Sequence, residues 1–507
     1  MNLFRLSAYA LSALLLTPYT ALAAADHLTV PGSLSAWWII PFAGMLLSIA
    51  ILPLTAHVFW EHHRGKISIF WALAFLVPCL AVYGPGVAFY EFCHIILLDY
   101  VPFLVLLFSL YTVAGGVRLK GSLTGTPPVN LGILAIGTVL ASWMGTTGAA
   151  MLLVRPLLRA NAHRKYRVHS VVFFIFLVAN IGGSLSPLGD PPLFLGFLKG
   201  VDFFWTTSHL FLKTLSLSTA LLAIYFVLDM VLYNKEGRPV PPISPADSAP
   251  AKPGQLMPSQ EKLGLDGKIN LLFLLGVVLA VLLSGLSPLG TIATVGGVPL
   301  EAQNVLRDAA LLCLAWLSMR HTSRRCRELN GFTWGPIEEV AQLFFGIFVS
   351  MIPAMAILKA GSSGALAPLV ELVSRDGQPV NAMYFWLTGI LSSFLDNAPT
   401  YMVFFNTAGG DAQTLMHHMP ETLAAISAGA VFMGACSYIG NAPNFMVRAI
   451  AEDQGVRMPG FFGYILWSVC ILVPLFALLT WFFFPSMVQW GKMDRFRRCL
   501  MPMESRI

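Results

Sequence analysis

Apolar runs long enough to cross a bilayer recur along most of this 507-residue chain, separated by short polar or basic breaks. A spanning helix needs about 20 apolar residues. Runs of that kind predict spans near 36–58, 67–87, 95–116, 168–187, 207–232, 268–287, 305–319, 337–360, 421–440 and 460–485. Two further apolar stretches, 131–154 and 382–405, are interrupted by polar residues. One long polar segment, Asn234 to Lys268, holds seven prolines. It reads as a linker over 233–267 between an N-terminal membrane half, 36–232, and a C-terminal half, 268–485, with a basic tail at 486–507. At the start, Arg5 precedes the apolar run Leu11–Leu16, and Ala21-Leu22-Ala23 offers small residues. That is a signal-peptide pattern over residues 1–25; an uncleaved first helix is the rival reading.

Composition narrows the class. Hydrophobic residues make up 56% of the chain and charged residues 11%, against about 25% charged in a soluble domain. The chain therefore reads as an all-α polytopic membrane protein whose main partner is the lipid bilayer. The net charge of +6 sits in short loops, so it marks cytoplasmic faces rather than a nucleic-acid partner. Seven cysteines include no CxxC pair and read as small core residues.

The two halves carry a repeat at one fixed offset. "SWMGTTGAAMLLV" (142–154) aligns with "SFLDNAPTYMVFF" (393–405), and "GGSLSPLGDPPLF" (182–194) with "MGACSYIGNAPNF" (433–445). Ser142 meets Ser393, Gly183 meets Gly434, Ser186 meets Ser437, Gly189 meets Gly440 and Pro192 meets Pro443, all 251 residues apart. Pro102 meets Pro353 at the same spacing. Basic residues flank the first interrupted stretch on both sides (Arg118 and Lys120; Arg155, Arg159, Arg164, Lys165 and Arg167). Both its ends are thus expected in the cytoplasm, which makes it a re-entrant hairpin. The second stretch lacks such flanks, so its ends are expected outside. The fold expected is two inverted-topology repeats, each with a re-entrant helical hairpin and a broken transmembrane helix. The basic tail disagrees, because the same count leaves it outside.

Backbone groups cannot go unpaired in lipid. The Gly and Pro breaks at 182–192 and 440–443 therefore imply backbone facing protein or a wet cavity, where freed amides and carbonyls coordinate ions or substrates. Ser142, Thr146 and Thr147 in the first hairpin, and Ser393, Asp396, Asn397 and Thr400 in the second, add the oxygen ligands that hard cations prefer. Asp190 and Asp396 add negative charge, each costing about 2.5–3.5 kcal/mol at a membrane helix centre. Helix capping is the alternative for both acids. Backbone bonding or helix packing is the alternative for the hydroxyls and for Asn180.

At these residues the chain resembles the ion transporter superfamily, which includes D-type sodium/proton antiporters and citrate-transporter-like permeases. "ANIGGSLSPLGDPP" is similar to an antiporter motif, and "SSFLDNAPTY" to the Asp-Asn-x-Pro motif of a second hairpin. The resemblance implies that hairpin tips and helix breaks meet at the substrate and cation sites. By matching position it implicates Thr146, Thr147, Asn180, Ser186, Asp190, Ser393, Asp396, Asn397, Ser437 and Asn441 in substrate or ion binding. Asp190, Asp396 and Asn397 are the implied sodium ligands. A homodimer is also implied. The first hairpin reads Gly145-Thr146-Thr147 where such antiporters carry Asp-Asn, and neither half has the Ser-Asn-Thr motif of sodium/dicarboxylate symporters.

The expected function is secondary active transport in the inner membrane. The hairpins and breaks hold acids but no lysine or arginine, which favours a sodium/proton antiporter with Asp396 as the shared ligand. A citrate or other carboxylate transporter, coupled to protons, sodium or a divalent metal, is the alternative, and a channel is the minor one. No cofactor is expected beyond the coupling ions Na+ and H+. No HExxH, GxSxG or comparable set points to an enzyme.

Overall fold

The structure is a computed structural model that describes residues 29–121, 123–239, 263–286, 288–375 and 377–484. The signal segment at 1–25, most of the Pro-rich linker and the basic tail lie outside the described residues.

A 3-10 turn (Ala36–Ile39) leads into α1 (Ile40–Thr55), α2 (His57–Ile95), a π-helical turn (Ile96–Tyr100) and α3 (Val101–Ala114). Then come β1 (Arg118–Lys120), α4 (Pro127–Met144), α5 (Thr146–Ala160), α6 (Val168–Leu177), a 3-10 turn (Ile181–Leu185), α7 (Pro191–Leu198) and α8 (Trp205–Lys235). The second half runs through β2 (Gly264–Asp266), α9 (Ile269–Leu286), β3 (Thr291–Val295), β4 (Val298–Glu301), α10 (Ala302–His321), α11 (Arg324–Leu329) and α12 (Gly335–Lys359). It ends with α13 (Ala367–Val373), β5 (Ser374–Arg375), β6 (Gln378–Pro379), α14 (Asn381–Phe394), α15 (Asn397–Thr407), α16 (Ala412–His417), α17 (Pro420–Met433), a 3-10 turn (Gly434–Cys436), α18 (Ala442–Asp453) and α19 (Phe461–Phe483).

Among the described residues, eight helical runs are long and apolar enough to cross a membrane, so the chain is an all-α polytopic membrane protein. The short strands form only two-stranded antiparallel ladders. One of them ties the halves together, with Arg118 opposite Asp266 and both Arg118 and Lys120 paired with the Asp266 carboxylate. The Lys120 ammonium, then Arg118, hold that carboxyl below its ordinary range.

The expected loop between spans 67–87 and 95–116 is absent. Helix runs from His57 to Ala114 with one break at Gly84, whose φ of 82° suits glycine and which precedes Pro85. Polar letters near Glu91 and His94 mimic a loop, yet they sit on a helix that packs along α12.

Burial separates a central rod from a lipid-facing rim. The Val168–Leu185 window is 89% buried, against 17% for Ile269–Leu286. On α9, Leu271, Leu275, Leu279 and Leu283 form an exposed stripe at helical spacing, which only an apolar solvent tolerates. The rod carries Phe173, Phe174, Ile175 and Phe176, all fully buried. Its break therefore lies deep inside protein.

The basic flank at 155–167 is not all surface loop. Arg164 is buried with its Nη1 2.5 Å from Asp229 Oδ1, and His169 Nε2 lies 2.8 Å from the same oxygen. Asn130 donates to Asp229 Oδ2 at 3.0 Å and Tyr225 to the same oxygen at 3.2 Å. A lone basic residue reads as a loop marker, and its acidic partner 65 residues later on α8 is invisible to that rule. Breaking a buried pair by removing one partner costs about 3–5 kcal/mol. Asp229→Ala is therefore expected to lower the melting temperature of the detergent-solubilised protein sharply. An unchanged melt would show that the cluster contributes no net stability.

Candidate functional site

Two broken helices meet two hairpin tips at one buried carboxylate. After α6 the chain leaves helical geometry at Asn180, makes the 3-10 turn, and becomes extended at Ser186 (φ −146°, ψ 161°) and Asp190 (φ −139°, ψ 143°). Pro191 and Pro192 then open α7, where missing amides cost nothing. The second half does the same. Ser437 (φ −140°, ψ 167°) and Asn441 (φ −150°, ψ 137°) are extended, and α18 opens with Ala442 and Pro443.

The breaks are anchored to their hairpins by matching bonds. Ser186 Oγ donates to the carbonyl of Ser142, and Ser437 Oγ donates to the carbonyl of Ser393 at 2.5 Å. The amides of Leu188 and Ile439 each donate back to the Ser186 and Ser437 hydroxyls at 3.2 Å. Ser142 Oγ donates to the Gly182 carbonyl, and Ser393 Oγ to Gly389 and Met433 carbonyls at 2.8 and 3.0 Å. These serines thus fix the backbone of the breaks against the hairpins.

Asp190 occupies the first position before α7, but its carboxylate makes no cap bond. It accepts instead from three neutral donors. Thr146 Oγ1 reaches Oδ1 at 3.2 Å, Asn441 Nδ2 reaches Oδ1 at 3.1 Å, and Asn397 Nδ2 reaches Oδ2 at 2.7 Å. Asp190 and Asn441 are 251 residues apart, as are Thr146 and Asn397. The bonded set is thus two pairs of matched positions, and each half supplies one member of each pair.

A second ring of amides holds this set. Asn441 Nδ2 also reaches Asn180 Oδ1 at 3.2 Å, and Asn180 Nδ2 donates to Asn444 Oδ1 at 2.7 Å. Asn444 Nδ2 donates to the Gly434 and Ser437 carbonyls at 2.8 and 2.9 Å. Asn397 Oδ1 accepts from Ser392 Oγ at 2.6 Å, which fixes the orientation of the amide facing Asp190. Thr146, Asn180, Asp190, Asn397, Asn441 and Asn444 are all buried.

Asp396 behaves differently. It is half-buried and its Oδ1 accepts from the Ala398 amide at 3.1 Å, capping α15. The matched position is Gly145, whose φ of 79° turns the first hairpin without a cap. Thr147 is half-buried beside Thr146, and the bonds to Asp190 run through Thr146. Thr400 Oγ1 bonds the Asp396 carbonyl at 3.0 Å inside the arm.

Asn444 and Ser392 belong to the site although the repeat did not flag them. Their matched positions are Leu193 and Ala141, so an offset comparison passes over both. The cost of burying an amide in an apolar helix is the signal that singles out Asn444.

The arrangement leaves a carboxylate with neutral partners only; among the described residues no lysine or arginine forms an ion pair with Asp190. Such a site can bind a proton or a small cation. Comparison with curated proteins finds no match. A family model, CitMHS_2, described as "Putative citrate transport", matches residues 31–484, which contain every helix from α1 to α19. With helices fit to span a membrane and a buried polar site at their breaks, the chain belongs to this family of citrate-transporter-like permeases within the ion transporter superfamily.

Proposed function

We propose that the protein is a secondary active carrier of the inner membrane for citrate or a closely similar carboxylate, driven by a cation or proton that binds at Asp190. The single observation that carries this is the Asp190 carboxylate held by Thr146, Asn397 and Asn441. A bare anion approaching that acid meets repulsion. A proton or sodium ion on Asp190 removes it, so anion and cation enter together. This is how an acidic site and a carboxylate cargo are compatible.

Bonds repeated at a spacing of 251 residues support two repeated halves that share the site, and the basic flanks of the first hairpin, lacking around the second, support their inversion. Halves of that kind move against each other around a fixed midpoint to give alternating access. The all-helical architecture suits an inner rather than an outer membrane, since outer-membrane spans are closed barrels. Among the described residues no three His, Cys, Asp or Glu side chains converge on a metal-sized gap. The polar groups that surround Asp190 are the amides of Asn397 and Asn441 and the hydroxyl of Thr146.

A sodium/proton antiporter is the second reading, favoured by the same uncompensated acid. Purified protein in proteoliposomes separates the two. Labelled citrate is expected to accumulate only when an inward proton or sodium gradient is imposed. Proton efflux on adding sodium, lithium or potassium without citrate, and no citrate uptake under any gradient, would overturn the carboxylate reading.

A further inference from the structure

A cavity of about 570 Å³ lies between the α2–α3 junction, α12 and the second hairpin arm. Glu91, His94, Asp99, Lys199, Lys359 and Asn406 supply its polar wall, and Met351, Met355, Met402 and Phe405 its apolar wall. It reaches Met402, about one and a half turns along α15 from Asn397. On the orientation expected from the basic loops, this end of α12 and α15 faces outward.

Most of its polar atoms are committed. Lys199 Nζ pairs with the Asp99 carboxylate at 2.6 and 2.7 Å. Glu91 Oε1 accepts from the Val30 amide at 2.7 Å. Asn406 Nδ2 donates to the Met402 carbonyl at 2.8 Å and contacts Met355 Sδ at 2.9 Å. His94 makes no such bond among the described residues, and neither does Lys359. The Lys359 Cε lies beside Gly410, where the lack of a side chain leaves room for it, and its ammonium forms no ion pair or hydrogen bond among the described residues. An unpaired ammonium on a half-apolar wall is a docking point for an anion.

We propose that this cavity is an outer vestibule where a carboxylate anion first docks, with Lys359 taking one carboxylate, before it reaches the Asp190 site. The inference rests on the carboxylate reading above. Glu91 lines the same cavity and opposes the anion, so the two side chains set the docking affinity in opposite senses.

Labelled citrate binding to purified protein tests this, with transport run in parallel. Lys359→Ala is expected to weaken binding about tenfold, the low end for a charge-assisted bond, and to raise KM with kcat nearly unchanged. Lys359→Arg is expected to restore most of the affinity, and Glu91→Gln to tighten binding severalfold. Each effect should shrink as salt screens the charges. Melting temperatures check that each variant is folded. Wild-type binding with the same affinity in Lys359→Ala overturns the vestibule while leaving the carrier reading in place. Absence of citrate binding to the wild type overturns both.

Discussion

Asp190→Asn is expected to abolish coupled transport, by at least about 100-fold in uptake rate, while the protein still folds. Asparagine keeps the shape of the side chain but cannot carry the charge. Thr146 and Asn441 donate to Oδ1 and Asn397 donates to Oδ2. An amide nitrogen at Oδ2 would face the Asn397 amide donor to donor. Asn397 cannot flip freely, because its Oδ1 accepts from Ser392 Oγ at 2.6 Å. One bond is lost, at about 0.5–1.5 kcal/mol, and the removal of a buried charge offsets part of that. The melting temperature should therefore move by only about 3 °C. Citrate uptake and its response to proton and sodium gradients, measured beside a melt, decide the matter. Wild-type uptake in a folded Asp190→Asn protein would falsify the role assigned to this carboxylate. Asp396→Asn provides the contrast. Asparagine caps a helix as well as aspartate does, so the Ala398 bond survives. Its effect on uptake should stay under about tenfold.

The periodic apolar runs made most of the helices legible, because a bilayer fixes span length so tightly. The breaks were legible for a related reason. Gly182-Gly183 and Pro187 to Pro192 cannot continue a helix, and the structure leaves helical geometry there. The set around Asp190 was legible in part. Thr146, Asn397 and Asn441 stood out as polar letters in apolar surroundings, and the family resemblance implied that the hairpin tips and breaks carrying them meet. The different bonding of the two acids was not legible. Asp396 and Asp190 both precede a helix start, and only the backbone shows that one carboxylate turns back to its own amides while the other turns to another half. Asn444 and Ser392 were missed because their matched positions are apolar. Arg164 lies in the loop between α5 and α6 as its basic surroundings suggest, but its burial was not legible, because a buried ion pair depends on two distant elements meeting, which no local pattern records. The gap expected at 88–94 failed for the opposite reason. Glu91 and Asp99 face a cavity, so a helix could carry them without exposing charge to lipid.

Gly189→Ala is expected to be as damaging as loss of the acid, through packing rather than charge. A methyl group on Gly189 would lie 2.0 Å from the Gly183 carbonyl oxygen and 2.7 Å from its carbon. Those atoms are backbone, so no rotamer change relieves the overlap. The Gly189 carbonyl also accepts from the Thr146 amide at 2.9 Å, so displacing Gly189 drags the first hairpin tip with it. Overpacking in a filled core costs about 1–3 kcal/mol, and here the strain falls on the turn that presents Asp190. Uptake should fall about 100-fold, and the melting temperature should fall as well, which separates this variant from Asp190→Asn. The matched change in the other half should be milder but of the same kind. A methyl on Gly440 would lie 2.6 Å from the Gly434 carbonyl oxygen and 2.7 Å from that of Ser392. Gly132→Ala on α4 is the control, because a methyl there meets nothing within 4 Å and alanine favours helix over glycine by about 0.5–1 kcal/mol. That variant should transport normally and melt no lower than the wild type. If Gly189→Ala matched this control in both melt and uptake, the two broken segments could not approach as closely as described, and the Asp190 site would lose the backbone that positions it.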